Sequence, residues 1–128
     1  MKNIISLLFA TIGLTAIKAQ GDLRITGAVV SISGTTSVTV NGDVQHDNGS
    51  TSEINGELSL SGNWINNSGS SALTPISKGK VQLAGATQFI TGSDPTVFYD
   101  LEFVGAGSDK TTLVSTFVSN SLDLNDAV

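Results

Sequence analysis

The chain has 128 residues, no cysteine and a formal charge of −5, with 11 acidic and 6 basic residues. This length fits one domain, the lack of cysteine excludes disulfides and thiolate metal sites, and the scarcity of basic residues argues against binding to nucleic acid. Charged residues make up 13% and hydrophobic residues 39%, which is too apolar a composition for a disordered chain. The polar residues are mostly Ser, Thr, Asn and Gly, which favour strands and turns.

The first 19 residues have the pattern of a secretory signal peptide. A lysine at the second position is followed by a mostly apolar segment over residues 4–16, and Ala19 is a small residue suited to the position before cleavage. The apolar segment is shorter than the roughly 20 residues that span a bilayer. We therefore predict a signal peptide over residues 1–19, a mature chain that begins at Gln20, and a protein that is secreted or held on the outer cell surface.

Removal of this segment takes away two of the six basic residues. The four that remain, Arg24, Lys78, Lys80 and Lys110, are scattered, with only Lys78 and Lys80 near each other in the sequence. Anionic membranes and nucleic acids are bound by clustered cations. We therefore predict no nucleic-acid partner and no membrane insertion after the signal is removed.

A pattern of apolar, any and apolar residues recurs at a nearly constant interval. Its five copies begin at positions 38, 58, 81, 101 and 122, which are 20, 23, 20 and 21 residues apart. A period of this size indicates a solenoid, in which the strand of each coil stacks on the equivalent strand of the next. Two inward columns are predicted: Val38, Leu58, Val81, Leu101 and Leu122 in one, and Val40, Leu60, Leu83, Phe103 and Leu124 in the other.

The predicted fold is all-β, a parallel β-solenoid of the β-helix type with coils of about 20 residues. It occupies residues 38–128, and residues 20–37 form an N-terminal cap or a first coil. The alternative is an antiparallel β-sandwich, because short strands separated by Asn-Gly turns also describe the chain. A glycine closes each of the first four copies, and we expect it to supply the positive φ of a corner. The last copy stops just after its strand, so we expect the solenoid to be truncated at this end.

Three segments carry a resemblance to a known class of proteins. They are residues 62–67 (Gly-Asn-Trp-Ile-Asn-Asn), residues 81–90 and residues 98–103 (Phe-Tyr-Asp-Leu-Glu-Phe). From Val38 onward the chain resembles the N-terminal part of secreted and surface repeat proteins of Bacteroidota, which are adhesin-like β-solenoid proteins. Many of them carry a C-terminal sorting domain for type IX secretion, and we recognise no pattern of that domain within these 128 residues. The resemblance implies a surface solenoid and brings no catalytic motif.

Four residues are candidates for a ligand site: Trp64, Tyr99, His46 and Asp47. Aromatic faces bind sugar rings, but Trp64 has the parity of the inward residues, whereas Tyr99 is out of phase with Leu101 and is expected at the surface. His46 lies beside Asp47, so the pair is either an acid–base site or part of a solvated turn before Asn-Gly. Two residues are too few for zinc, and no calcium-loop pattern is present. We predict no metal and no cofactor.

These observations predict an exported, non-enzymatic structural or adhesive protein that displays Ser, Thr and Asn side chains in repeated rows. Its partner would be a surface glycan or another protein. The alternative is a carbohydrate-binding or carbohydrate-processing module on the same scaffold, because solenoids also carry such sites. No spacing in the sequence places two carboxylates together as glycoside hydrolysis requires, which favours the non-enzymatic role.

Overall fold

The computed structural model describes residues 16–105 and 109–124. Most of the predicted signal peptide, residues 1–15, lies outside this part of the chain, as does the C-terminal end of the last coil. The described residues form thirteen strands and no helix. The strands are β1 (Ala16–Ala19), β2 (Leu23–Thr26), β3 (Val29–Ile32), β4 (Ser37–Val40), β5 (Val44–Asp47), β6 (Thr51–Ile54), β7 (Glu57–Leu60), β8 (Trp64–Asn67), β9 (Lys80–Leu83), β10 (Thr87–Gly92), β11 (Thr96–Phe103), β12 (Asp109–Thr112) and β13 (Thr116–Asp123).

These strands stack as a β-solenoid of about five turns. Sheet A runs in the order β1-β4-β7-β9-β11-β13, sheet B in the order β12-β10-β8-β5-β2, and sheet C contains β3 and β6. Neighbours in all three sheets are parallel. The predicted all-β parallel solenoid is confirmed, and the antiparallel sandwich is wrong for these strands.

Sheet A has the register that the repeat predicts. In one column Val38, Leu58, Val81, Leu101 and Leu122 are successive partners, and in the next Val40, Leu60, Leu83 and Phe103 are successive partners. All of these residues except Phe103 and Leu122 are buried in the core. At the last coil Leu122 is 52% exposed and Leu124 is 50% exposed. Their predicted inward burial is wrong, because no described strand stacks on the outer side of β13.

The repeat begins one copy earlier than the sequence analysis placed it. Strand β1 pairs with β4, with Ile17 opposite Val38 and Ala19 opposite Val40. The segment from Ile17 to Gly21 has the same pattern of apolar, any, apolar, any and glycine as the later copies. Residues 20–37 contain β2 and β3, which stack on β5 and β6.

The corner glycines allow close approach of neighbouring coils. A Cβ on Gly42 would lie 2.6 Å from the carbonyl carbon of Gly21 and 2.8 Å from the nitrogen of Asp22. Gly42 does not have a positive φ, whereas Gly105 has a φ of 109°. Our expectation that these corners need positive φ is therefore wrong for Gly42, and also for Gly62 and Gly85, which have no positive φ either. At Gly42 the contact between the two backbones leaves no room for a side chain.

The residue after a corner glycine links one coil to the next. Asp22 Oδ1 accepts a hydrogen bond from the Asp43 nitrogen at 2.9 Å, and Asp43 Oδ1 accepts one from the Asn63 nitrogen at 2.6 Å. Asn63 Oδ1 then accepts one from the Phe89 nitrogen at 2.9 Å. The first two bonds satisfy backbone donors at corners, where the sheet ladder is interrupted, and the third satisfies a donor within β10. Each of the three residues follows a glycine, so the sequence contains this signal.

Candidate functional site

The outward side chains of sheet A form two rows that cross the coils, and we call this surface the outer face. Successive side chains of a strand point to opposite sides, so the residues between the inward columns face outward in register. The first row is Ser37, Glu57, Lys80 and Asp100, and the second row is Thr39, Ser59, Gln82 and Glu102. The sequence analysis predicted repeated rows of Ser, Thr and Asn side chains, but it did not name their members, and the rows on sheet A contain Glu, Lys, Gln and Asp and no Asn.

Lys80 forms ion pairs with two carboxylates on the outer face. Its Nζ lies 2.7 Å from Glu102 Oε2 and 3.7 Å from Glu57 Oε2, and Gln82 Nε2 donates a hydrogen bond to Glu102 at 3.0 Å. The hydrogen bond to Glu102 raises the pKa of Lys80, with the charge of Glu57 acting in the same direction. The amine is therefore protonated at neutral pH, which suits ion pairing and hydrogen-bond donation rather than proton abstraction.

An open groove of about 410 Å³ lies where the strands of sheet A begin. It is lined by residues 34–37, 55–57 and 79–80 and by Asp100. The lining combines hydroxyl, amide and carboxylate groups with the backbone of three glycines. Such a surface can donate and accept many hydrogen bonds, which is the chemistry that a hydroxyl-rich ligand requires.

Tyr99 directly precedes the groove residue Asp100 in the sequence and is half-buried. It occupies an irregularity in β11, where the register with β13 shifts between Phe98 and Asp100. The Nζ of Lys78 lies 4.7 Å from the centre of the Tyr99 ring, within the range of a cation–π interaction. One side of the ring is therefore covered by a cation, and a sugar would stack on it only at the other face or after displacing Lys78.

Trp64 is fully buried in β8. Its indole Nε1 donates a hydrogen bond to Thr96 Oγ1 at 3.0 Å, and its ring lies 5.2 Å from that of Phe98 in an edge-to-face arrangement. The inward placement inferred from parity is confirmed. Because the ring presents no face to solvent, Trp64 contributes to the core rather than to a stacking platform.

His46 is also buried, in β5. Its Nε2 lies 2.8 Å from Ser52 Oγ, and its ring lies 5.0 Å from that of Trp64. Burial lowers the pKa of His46 to about 4, against the opposing charge of Asp47. The solvated turn predicted for His46 is wrong, because the turn is made by the next Asn-Gly pair, where Asn48 has a φ of 49°.

Asp47 does not act together with His46. Its carboxylate accepts hydrogen bonds from Arg24 Nε at 2.6 Å and from Gln45 Nε2 at 3.0 Å, whereas His46 bonds to Ser52. Burial opposes ionisation of Asp47, but the bonds from Gln45 and Arg24 outweigh it and lower the pKa of this carboxyl. Adjacent strand residues point to opposite sides, which separates the two side chains that the sequence places together.

No metal-binding cluster of three or more His, Cys, Asp or Glu side chains occurs within residues 16–105 and 109–124. The same part of the chain contains no helical segment long and apolar enough to cross a bilayer.

Comparison with known proteins identifies no relative: no protein-family model, curated protein or solved structure matches the chain. The resemblance to Bacteroidota surface repeat proteins stays a prediction from the segments quoted above. Function is therefore inferred from the geometry of the chain's own residues.

Proposed function

We propose that this chain is an exported, non-enzymatic structural or adhesive part of a secreted or surface protein, and that it displays a repetitive β-surface. The observation that carries the proposal is the pair of rows on the outer face. Parallel in-register strands place equivalent side chains about 4.8 Å apart from coil to coil. A partner with a repeating polar surface, such as a glycan or another protein, can then be bound through many similar contacts.

The side chains of the second row suit this role. Thr39, Ser59 and Gln82 are partly exposed and uncharged, and their hydroxyl and amide groups both donate and accept hydrogen bonds. Ser59 Oγ donates to Gln82 Oε1 at 3.0 Å, which orients neighbouring members of the row. Individually weak contacts become strong in combination when they engage a partner together.

The charged groups favour binding over catalysis. Lys80 is protonated and paired with Glu102, and His46 is buried. A general base must be unprotonated and must reach the proton that it abstracts. Lys80 fails the first condition because its pKa is raised, and His46 fails the second because it is buried. These features support the non-enzymatic reading.

Adhesion under flow tests the proposal. Beads coated with the purified chain are passed over a cellulose film and a gelatin film, and we expect retention above that of bare beads on at least one film. The variant Thr39→Ala/Ser59→Ala/Gln82→Ala removes the hydrogen-bonding groups of the second row. At about 1 kcal/mol per lost hydrogen bond, the loss of three should weaken its binding roughly 100-fold.

The matched control is Thr26→Ala/Thr91→Ala/Thr111→Ala, which removes three hydroxyl groups from sheet B. This control should keep the retention of the unmodified chain. Equal loss in both triple variants, or no retention of the unmodified chain on either film, would contradict adhesion through the outer face.

The second candidate function is a carbohydrate-binding module, and the groove of about 410 Å³ favours it. A module of this kind should bind a soluble cello-oligosaccharide saturably, with a change in the fluorescence of Tyr99. Trp64 should not respond, because it is fully buried. Binding that disappears in Tyr99→Ala would favour the module, whereas a structural segment should show no saturable binding and should tolerate this substitution.

A further inference from the structure

The predicted signal peptide and the first strand of the solenoid overlap at four residues. The sequence pattern places cleavage after Ala19, yet Ala16–Ala19 is β1 of sheet A. Cleavage at that bond would separate β1 from the rest of the protein. The two assignments therefore cannot both describe the mature chain.

Strand β1 is held to the second coil along its whole length. Its four residues pair in parallel register with the four residues of β4, and the Asn41 nitrogen donates a hydrogen bond to the Ala19 carbonyl oxygen at 2.9 Å. Ala19 is buried and belongs to the hydrophobic core, against which Ile17 packs. The strand thus occupies the position that an equivalent strand occupies in every inner coil.

The corner after β1 is also complete. Gly21 lies against Gly42, and Asp22 starts the ladder of side-chain bonds by accepting from the Asp43 nitrogen. Ile17 precedes Val38 by 21 residues, which is within the 20 to 23 residues that separate the later copies. The sequence repeat, the strand pairing and the corner contacts therefore agree in placing residues 16–22 within the first coil.

We infer that Ala16–Ala19 is retained in the mature protein as its first strand, and that export cleavage falls before Ala16. This inference rests on the proposed export. Gly13-Leu14-Thr15 places small residues at the two positions that a cleavage motif of the Ala-x-Ala kind requires, directly before Ala16. Cleavage after Ala19 would instead remove Ile17 and Ala19, the partners of Val38 and Val40, and would uncover these two core residues.

The N-terminal residue of the exported protein tests this inference. The full chain is produced with its own leader in a bacterial host that exports it, and the product is analysed by intact mass and N-terminal sequencing. We expect the first residue to be Ala16 or an earlier one. A product that begins at Gln20 would overturn the inference while leaving the export proposal intact.

The variant Ala19→Leu tests the cleavage site without disturbing the fold. Leucine occupies the same inward column at Leu60 and Leu83, but it is too large for the position before a cleaved bond. Processing of Ala19→Leu should equal that of the unmodified chain. Where the product begins at Ala16, Thr15→Leu should block or shift its processing. Accumulation of an unprocessed Ala19→Leu precursor would show that cleavage follows Ala19 and would overturn the inference.

A product that keeps Met1 would contradict export, and the role of β1 is then decided in the full chain. Ile17→Asp places a negative charge on the inward side of β1. Lys18→Asp places the same charge at the next residue of β1, which faces outward. We expect a lower urea midpoint for Ile17→Asp and little change for Lys18→Asp. Equal midpoints for the two variants would show that β1 is not part of the folded protein.

Discussion

Replacing Leu60 by aspartate is expected to unfold the solenoid. Leu60 is 0% exposed and lies between Val40 and Leu83 in an inward column of sheet A. Within residues 16–105 and 109–124 no lysine or arginine is buried, so the new carboxylate would be buried without a cationic partner. A buried unpaired charge costs roughly 3 to 5 kcal/mol, which is most of the stability of a small domain at roughly 5 to 15 kcal/mol. Far-ultraviolet circular dichroism and urea unfolding at pH 7 measure the loss.

The matched control is Thr39→Asp. Thr39 lies on the adjacent strand β4 but faces outward and is partly exposed. A surface substitution of this kind changes stability by about 0.5 kcal/mol or less, so Thr39→Asp should fold normally. Normal folding of Leu60→Asp as well would contradict the inward assignment of the column.

Stability is also expected to fall as the pH decreases from about 6.5 to 4. Burial lowers the pKa of His46 from 6.5 to about 4, so the folded protein favours the neutral ring. The contribution of His46 to stability is therefore fully present above pH 6.5 and is lost as the pH falls through the folded pKa. A shift of this size corresponds to about 3 kcal/mol. Urea midpoints measured at intervals between pH 7.5 and 4 report the slope.

The variant His46→Leu separates this effect from other acid titrations. Its neighbour in the same column, Ile25, is apolar, so a leucine can pack there, although Ser52 loses its partner. We expect His46→Leu to be less stable at pH 7 but nearly independent of pH between 6.5 and 4. The pKa of Asp47 is lowered from its ordinary value of 3.8, so this carboxyl titrates below the window from pH 6.5 to 4. Parallel pH profiles for the variant and the unmodified chain would show that His46 is not the group responsible.

The repeat was sufficient to predict the fold and the register of sheet A. The pairs Val38–Leu58 and Leu58–Val81 are direct partners, because a strand that buries one face can stack only with its apolar residues aligned. The inward position of Trp64 followed from the same parity. Ile17 and Ala19 were assigned to a leader, because a short apolar strand near the N-terminus has the same composition as the end of a signal peptide.

The candidate site was less predictable, because it depends on which residues different coils bring together. Ile25, His46 and Asn66 form a column in sheet B, which places the imidazole ring of His46 in the core. No local sequence pattern distinguishes His46 from a turn residue. Lys80 and Glu102 are 22 positions apart in the sequence and become partners only through the stacking of β9 on β11. Long-range pairs of this kind follow from the register and not from the local sequence.

A disulfide between neighbouring coils tests the parallel stack most directly. The natural sequence has no cysteine, so Thr39→Cys/Ser59→Cys introduces the only two thiols. These positions are register partners on β4 and β7, with strands about 4.8 Å apart, which suits a disulfide. The control Thr39→Cys/Gln82→Cys separates the thiols by two strand spacings, about 9.6 Å, which is too far. Rapid intramolecular oxidation of the first pair alone is expected, whereas failure of that pair, or equal oxidation of the control, would contradict the solenoid.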